Sequence, residues 1–454
     1  MDSILDKPVF TFLLTIMIIF MQISESKNAS KNAAERCFCK LKGEVDDCSC
    51  KVETLDSLNN NHIYPRLQSL LTKNYFRYFK VNLHKECPYW SDDSRCALKD
   101  CHVSQCAEDD IPVGLKSGDP KENKYSRENQ EITTCAEERE LSALDTTISD
   151  ETKETFKDWR KHDDAQVTFC ELDDDNSSGI AYVDLLLNPE RYTGYRGASA
   201  HRIWHSIYEE NCFQPDSKYS YGDNPLANLC LEERVFYRLI SGLHTSINIH
   251  LSAKYLYPGK NGYGAGTWGP NKKEFQKRFD SKTTDGTGPQ RLKNLYFTYL
   301  VELRALAKVA PYLEMEDFYT GSDEDDDVKS IVMDILQVIK SFPDHFDESK
   351  MFQDPTQASR LKAEFKNHFR NISKIMDCVG CDKCRLWGKL QTQGMGTALK
   401  ILFSGDSIGP ESTVGANQKS QFQLRRTEIV SLFNAFGRLS DSIYSIEQFR
   451  SMMS

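Results

Sequence analysis

Three cysteines at three-residue intervals, Cys378-Val-Gly-Cys381-Asp-Lys-Cys384, constrain this chain more than any other feature. Two Cys-x-x-Cys units overlap there, so only one can close locally, and the remaining cysteine must find a distant partner or stay reduced. The segment reads as a redox centre tied to another part of the fold. Thiol chemistry is therefore the leading expectation.

The chain holds 15 cysteines in 454 residues, an odd count that leaves at least one unpaired. Residues 8–23 form an apolar run followed by Ser24-Glu25-Ser26, the pattern of a secretory signal occupying residues 1–26. Asp2 and Asp6 outweigh Lys7, which leaves an uncleaved anchor as the alternative. Entry to the secretory pathway implies disulfides, and it gives meaning to the sequons at Asn28, Asn176 and Asn371. A net charge of −10 without a basic stripe argues against a nucleic-acid binder.

Cys37-Phe-Cys39 and Cys48-Ser-Cys50 flank a turn at Gly43 and form a small stapled head over 37–50, with a zinc clip as the rival reading. The aromatic stretch 67–83, with Tyr75-Phe-Arg-Tyr-Phe79, reads as a core helix leading to Cys87. Residues 107–165 turn polar and acidic and read as a mobile excursion. Gly321-Ser-Asp-Glu-Asp-Asp-Asp327 lacks the alternation of a calcium loop and reads as a solvated loop. Helical spacing predicts helices over 231–257, 289–309, 328–342, 361–369, 381–403 and 424–439, while alternating runs are scarce. The fold class is mainly α.

Cys381 and Cys384 stand where a long helix should begin, and its dipole, with Lys383 and Arg385, favours a thiolate; an inert structural bridge is the plainer alternative. Cys96-Ala-Leu-Lys-Asp-Cys101 is a second short-span pair, followed by Cys106, in polar surroundings that suit contact with large substrates. Together the pairs suggest a relay by thiol exchange through mixed disulfides. Ser241, His244, Thr245, Asn248 and Ser252 make one polar stripe on the 231–257 helix, either a cofactor lining or a solvent face. Gly264-Ala-Gly-Thr-Trp-Gly269 matches the dinucleotide pattern in letters but follows no strand, and reads as a Gly-rich loop.

From about Cys37 to the C-terminal helices, the chain resembles the endoplasmic reticulum oxidoreductin family. The resemblance rests on Cys378 through Gly394, on the Cys96 to Cys101 pair, on Asn188-Pro-Glu-Arg-Tyr-Thr-Gly-Tyr195, and on Arg238-Leu-Ile-Ser-Gly-Leu-His244. It implies a single catalytic domain over 27–454, with FAD in a helical bundle and a flexible shuttle and regulatory segment over 91–165. It further implies a flavin-dependent sulfhydryl oxidase that takes electrons from protein disulfide isomerase and related thioredoxin-fold proteins at Cys96 and Cys101. They pass to Cys381 and Cys384, then to FAD and molecular oxygen, giving hydrogen peroxide in oxidative protein folding.

By the same resemblance the flavin contacts are Arg191, Thr193, Trp204, Ser241, His244, Arg278 and Arg291. Arginines suit a pyrophosphate, and Trp204 suits stacking on an aromatic ring. Cys106 with Cys135 is the regulatory pair, with a plain loop staple as the alternative. Cys87 pairs with Cys378, Cys37 with Cys50, Cys39 with Cys48 and Cys212 with Cys230, leaving Cys170 unpaired. No metal is implied. The chain ends Arg450-Ser-Met-Met-Ser454 without a retention tetrapeptide, so residence in the endoplasmic reticulum lumen would rely on partners or on peripheral membrane association. The rivals are a non-catalytic, disulfide-rich luminal binding protein and a weak oxidase that acts as a sensor through Cys106 and Cys135.

Overall fold

The computed structural model describes residues 38–90, 101–116, 169–170, 173, 179–191, 198–213, 226, 228–258, 266–343, 346–404, 422 and 424–453. The apolar run 8–23, Cys37, Cys96, Cys135, Asn28, Asn176, Thr193 and most of the polar excursion lie outside the described residues.

The described chain is mainly helical. The helices are α1 (Val52–Leu58), α2 (Tyr64–Leu70), α3 (Asn74–Arg77), α4 (Ala198–His205), α5 (Leu231–Ala253) and α6 (Lys272–Phe279). They continue with α7 (Gly288–Met315), α8 (Asp325–Lys340), α9 (Ala358–Ile375), α10 (Asp382–Phe403) and α11 (Arg426–Met453). Helices α5, α7, α10 and α11 pack together as the central bundle. On α11, Ile429, Phe433, Phe436, Leu439, Ile443 and Ile446 are all buried. Ser431, Ser440, Ser442, Ser445 and Asn434 are buried too, which marks a helix largely enclosed up to Ile446, before its partly exposed last turns. Those polar groups are satisfied: Ser442 Oγ meets Ser246 Oγ of α5 at 2.9 Å, and Asn434 Nδ2 donates to Phe76 O at 3.0 Å.

Small residues set the closest approaches. A Cβ at Gly242 would sit 2.6 Å from the Asn294 carbonyl oxygen and inside the Thr298 hydroxyl, so α5 and α7 touch through backbone. At Gly394, a Cβ would overlap Ala435 Cβ and the Ser431 carbonyl, bringing α10 against α11. The larger apolar residues then fill the rest of a core that runs from Cys39 to Phe449.

Four short strands complete the fold. Strands β1 (Tyr78–Asn82) and β2 (Ile180–Asp184) pair antiparallel, Phe79 opposite Val183, and Gln105 bridges Val183 from the other side. Strands β3 (Tyr255–Tyr257) and β4 (Thr267–Gly269) form a hairpin with Leu256 opposite Trp268.

Three expectations change. The 67–83 stretch is not one helix: α2 and α3 give way at Tyr78 to β1, because pairing with β2 outweighs the local preference of an aromatic run. The 231–257 helix stops at Ala253, where the chain turns into β3. The acidic run becomes the first turn of α8, and Asp325 accepts from Thr320 N, Thr320 Oγ1 and Gly321 N. Three aspartates there complement the positive end of the helix. No helix among the described residues is long and apolar enough to cross a membrane.

Candidate redox and cofactor site

Cys381 and Cys384 are joined by a disulfide at the start of α10. Cys381 is the N-cap residue and its sulfur accepts the Cys384 N–H at 3.2 Å, satisfying one of the amides that open a helix. Both cysteines are buried. Cys87 and Cys378 form a second disulfide, as the resemblance implied, across 291 residues of sequence. The remaining cysteine of the triplet, Cys378, thus ties the turn before α10 to Cys87, just beyond β1. Arg385 reinforces the attachment by donating to Val379 O and Leu83 O.

Cys101 is also half of a disulfide, and its other sulfur lies outside the described residues. The segment carrying it runs along β2: Cys106 N donates to Tyr182 O at 2.8 Å, and Asn188 holds both main-chain groups of Ser104. His102 Nδ1 then lies 3.7 Å from Asp382 Oδ2. The residue after Cys101 therefore touches the residue after Cys381.

Cys384 Sγ lies 3.7 Å from the Arg191 carbonyl oxygen. The loop bearing Arg191 is fixed by Glu190, a buried carboxylate that meets three bundle helices. It pairs with Arg438 Nε at 2.5 Å, accepts from Gln391 Nε2 at 3.1 Å, and faces His250 Nδ1 at 3.5 Å. The Arg191 guanidinium stacks over Trp268 of the hairpin, 4.3 Å from the ring centre.

The stripe on α5 faces inward, with Ser241, Thr245 and Ser252 buried, so the solvent-face alternative fails. Trp204 of α4 stacks on His244 with ring centres 3.5 Å apart. Tyr208 Oη is hydrogen-bonded to His244 Nδ1 at 3.1 Å. His244 is held neutral: burial, then the charges of Arg291 and Arg278, depress its pKa to about 3. Asn248 donates to His244 O and accepts from Arg278 at 2.6 Å, and Ser241 Oγ accepts from Asn294. Arg278 Nε is buried without a hydrogen-bond partner.

Three arginines, an unpaired guanidinium N–H and a stacked aromatic pair make a donor set for a ligand with an anionic group and a flat ring. The residues fit the flavin that the resemblance implied. Six of the seven expected contacts are described, and Trp204, Ser241, His244, Arg278 and Arg291 come together. Tyr208, Asn248, Trp268, Glu190 and Asn188 complete the surroundings. Of these, Asn248 belongs to the polar stripe and Asn188, Glu190 and Trp268 are letters of motifs in the sequence, while Tyr208 has no such mark.

Several cysteine expectations meet a different arrangement. Cys212 and Cys230 stand as separate thiols, because Cys230 caps α5 with its sulfur on the Glu233 amide and Cys212 is buried with its sulfur near Phe213 O. Cys48 is also a thiol, so the bridge to Cys39 is not formed; burial pushes its pKa up. Cys106 is a half-buried thiol raised by burial and then by Asp184 and Asp110. Asn371 lies within α9 and its amide nitrogen donates to Asn211 Oδ1 at 2.9 Å.

Comparison with known proteins gives concordant results. A family model described as Endoplasmic Reticulum Oxidoreductin 1 matches residues 62–446. An Ero1-like protein of Drosophila melanogaster is 54% identical over 457 residues, covering 96% of this chain and 93% of the relative. ERO1-like protein alpha of Homo sapiens is 52% identical over 446 residues, covering 93% of each chain. A solved structure of Ero1p, titled as the source of disulfide bonds for oxidative protein folding in the cell, superposes with a TM-score of 0.53 at 30% identity. It covers 88% of this chain and 98% of that one.

Proposed function

Because the chain belongs to the endoplasmic reticulum oxidoreductin family, we propose that it is an FAD-dependent thiol oxidase acting on reduced thioredoxin-fold proteins, protein disulfide isomerase among them, in the endoplasmic reticulum lumen. The observation that carries this reading is the buried Cys381–Cys384 disulfide, with one sulfur 3.7 Å from the carbonyl of Arg191, whose guanidinium stacks over Trp268. A buried bridge cannot meet a folded protein substrate directly; Cys101 is buried here as well, contrary to the exposed pair expected, so the contact requires its segment, whose His102, Ser104 and Gln105 are exposed, to swing outward.

The relay balances in two exchanges. A dithiol substrate attacks the Cys96–Cys101 bridge, leaves as a disulfide and deposits two electrons and two protons on those sulfurs. One of them then attacks the Cys381–Cys384 bridge, closing Cys96–Cys101 again and reducing the inner pair. As the inner bridge opens, the start of α10 stabilises the thiolate through its free amides and dipole.

FAD, when bound, supplies the two-electron acceptor and the reaction with oxygen, with hydrogen peroxide as product. Arg191, Arg278 and Arg291 would hold its phosphates, Trp204 and His244 would pack on its rings, and Ser241 and Thr193 would add hydrogen bonds. Neutral His244 can stack or accept without opposing the cationic groups around it. Exchange of Cys96 or Cys101 onto the Cys106 and Cys135 pair would lock the shuttle away from the Cys381–Cys384 bridge and slow the enzyme until substrate thiols reduce it.

Anaerobic mixing with a reduced thioredoxin-fold dithiol tests the reading. Bleaching of the flavin absorption, lost in Cys101→Ala and in Cys381→Ala, is the expected result; a colourless protein, or bleaching indifferent to Cys101, contradicts it.

A further inference from the structure

One stretch, residues 184–191, touches both redox centres. At its C-terminal end the Arg191 carbonyl lies against Cys384. In its middle Asn188 is 2% exposed and is fully engaged. Its Oδ1 accepts the Ser104 N–H at 2.8 Å, and its Nδ2 donates to Ser104 O and to Asp184 O, each at 2.9 Å. Its main-chain oxygen accepts the Trp387 indole N–H at 2.9 Å, one turn beyond Cys384 on α10. A single buried side chain thus grips both main-chain groups of Ser104, three residues from Cys101, while its backbone is fastened to the helix that carries Cys384.

We propose that Asn188 is a positioning residue for the relay: it holds the 101–106 segment in register against α10, so that Cys101 is presented to the Cys381–Cys384 bridge. The inference rests on Cys101 being the shuttle sulfur. Asparagine is the residue that suits the task, since its amide supplies one acceptor and two donors in one plane; aspartate keeps only the acceptor. Ser104 itself is exposed. Without Asn188 its main-chain groups can turn to water, so the loss falls on position rather than on folding. The Gln105 bridge to Val183 and the Cys106 bond to Tyr182 persist, but they fix only the far end of the segment.

The test measures proximity directly. In the full chain carrying Cys96→Ala and Cys384→Ala, each centre keeps one thiol, Cys101 and Cys381; a parallel parent replaces Cys381 instead of Cys384. In glutathione buffer, one protein thiolate attacks glutathione disulfide and releases one glutathione. The second thiolate attacks that mixed disulfide and releases another, so the electrons leave on two glutathiones and a Cys101 bridge forms. The bridged fraction, located by peptide mass mapping, gives the effective concentration of the two sulfurs.

Adding Asn188→Ala should lower that effective concentration about tenfold, for the loss of two bonds to Ser104. Asn188→Asp should fall between, with the helical circular dichroism retained in both. Equal effective concentrations with and without Asn188→Ala would overturn the proposal while leaving the relay intact. Failure of both parents to bridge at any glutathione ratio would instead overturn the relay, and the proposal with it. If Asn188→Ala does not fold, Ser104→Pro removes the same N–H bond from an exposed residue and must lower the bridging likewise; unchanged bridging there overturns the proposal.

Discussion

His102 Nδ1 lies 3.7 Å from Asp382 Oδ2, so the segment bearing Cys101 meets the helix that begins with Cys381 and Cys384. Both side chains are well exposed, 78% and 46%, and an exposed contact of this kind is worth under about 1 kcal/mol. His102→Ala should therefore slow electron transfer from Cys101 by less than about fivefold. The deficit should shrink as sodium chloride is raised, because salt screens the wild-type contact as well. Stopped-flow reduction of the inner disulfide across a salt series reads this out; a much larger, salt-independent loss would mean that His102 does something other than hold the segment.

Arg278 predicts the strength of cofactor retention. Its Nε is buried without a partner, while its other nitrogens reach Asn248 and Glu274. A charge-assisted hydrogen bond contributes about 1.5–3 kcal/mol, so Arg278→Ala should weaken flavin retention by roughly ten- to a hundredfold. The ratio of flavin to protein absorbance after desalting measures it. Full retention would remove Arg278 from the binding set.

Two buried histidines predict a pH dependence. Burial lowers His244 to about 3 and His250 to about 4 from an ordinary value of 6.5. Between pH 6.5 and those values the unfolded chain binds protons that the fold refuses. Their stabilising effect is complete above pH 6.5 and declines as pH falls, by up to about 1.4 kcal/mol per pH unit for each histidine. Buried acids such as Glu302, held protonated by desolvation, act in the opposite sense. The informative quantity is thus a difference: His250→Gln should lose less stability than the wild type between pH 6.5 and 5 in urea unfolding. Parallel slopes would show that His250 titrates normally in the fold.

The Cys87–Cys378 bridge predicts a stability effect separable from catalysis. It spans 291 residues and ends three residues before Cys381. Replacing both cysteines by alanine should cost about 2–5 kcal/mol, visible as a lower denaturation midpoint. Flavin binding, where the protein stays folded, should persist, since the described residues proposed to hold it, Arg191, Trp204, Ser241, His244, Arg278 and Arg291, lie away from the bridge in sequence, on α4 to α7 and the 184–191 stretch. An unchanged midpoint would show that the turn is held by packing and Arg385 alone.

Much of this was legible in the chain, for identifiable reasons. Helix α10 is legible from its apolar helical spacing over 381–403, while its cap by the Cys381 sulfur is seen only in the fold. The inward stripe of α5 was visible as a pattern, but a pattern cannot say which side meets the core; Gly242 against Thr298 decides that only in three dimensions. The 75–79 run was misread because aromatic residues suit helix and strand alike, and its strand exists through pairing with residues about a hundred positions away. Tyr208 gives no local signal, and Asn188 and Trp268 stand in motifs whose letters do not reveal their roles, since each depends on a partner brought in by the fold.

The most direct test of the relay is oxygen uptake by the purified protein on addition of reduced protein disulfide isomerase, recorded with the visible spectrum, for wild type and for Cys384→Ala. A flavin spectrum in both, with oxygen uptake that disappears in the variant, is the expected result. Uptake unchanged by Cys384→Ala, or a wild-type protein without flavin, would contradict the relay.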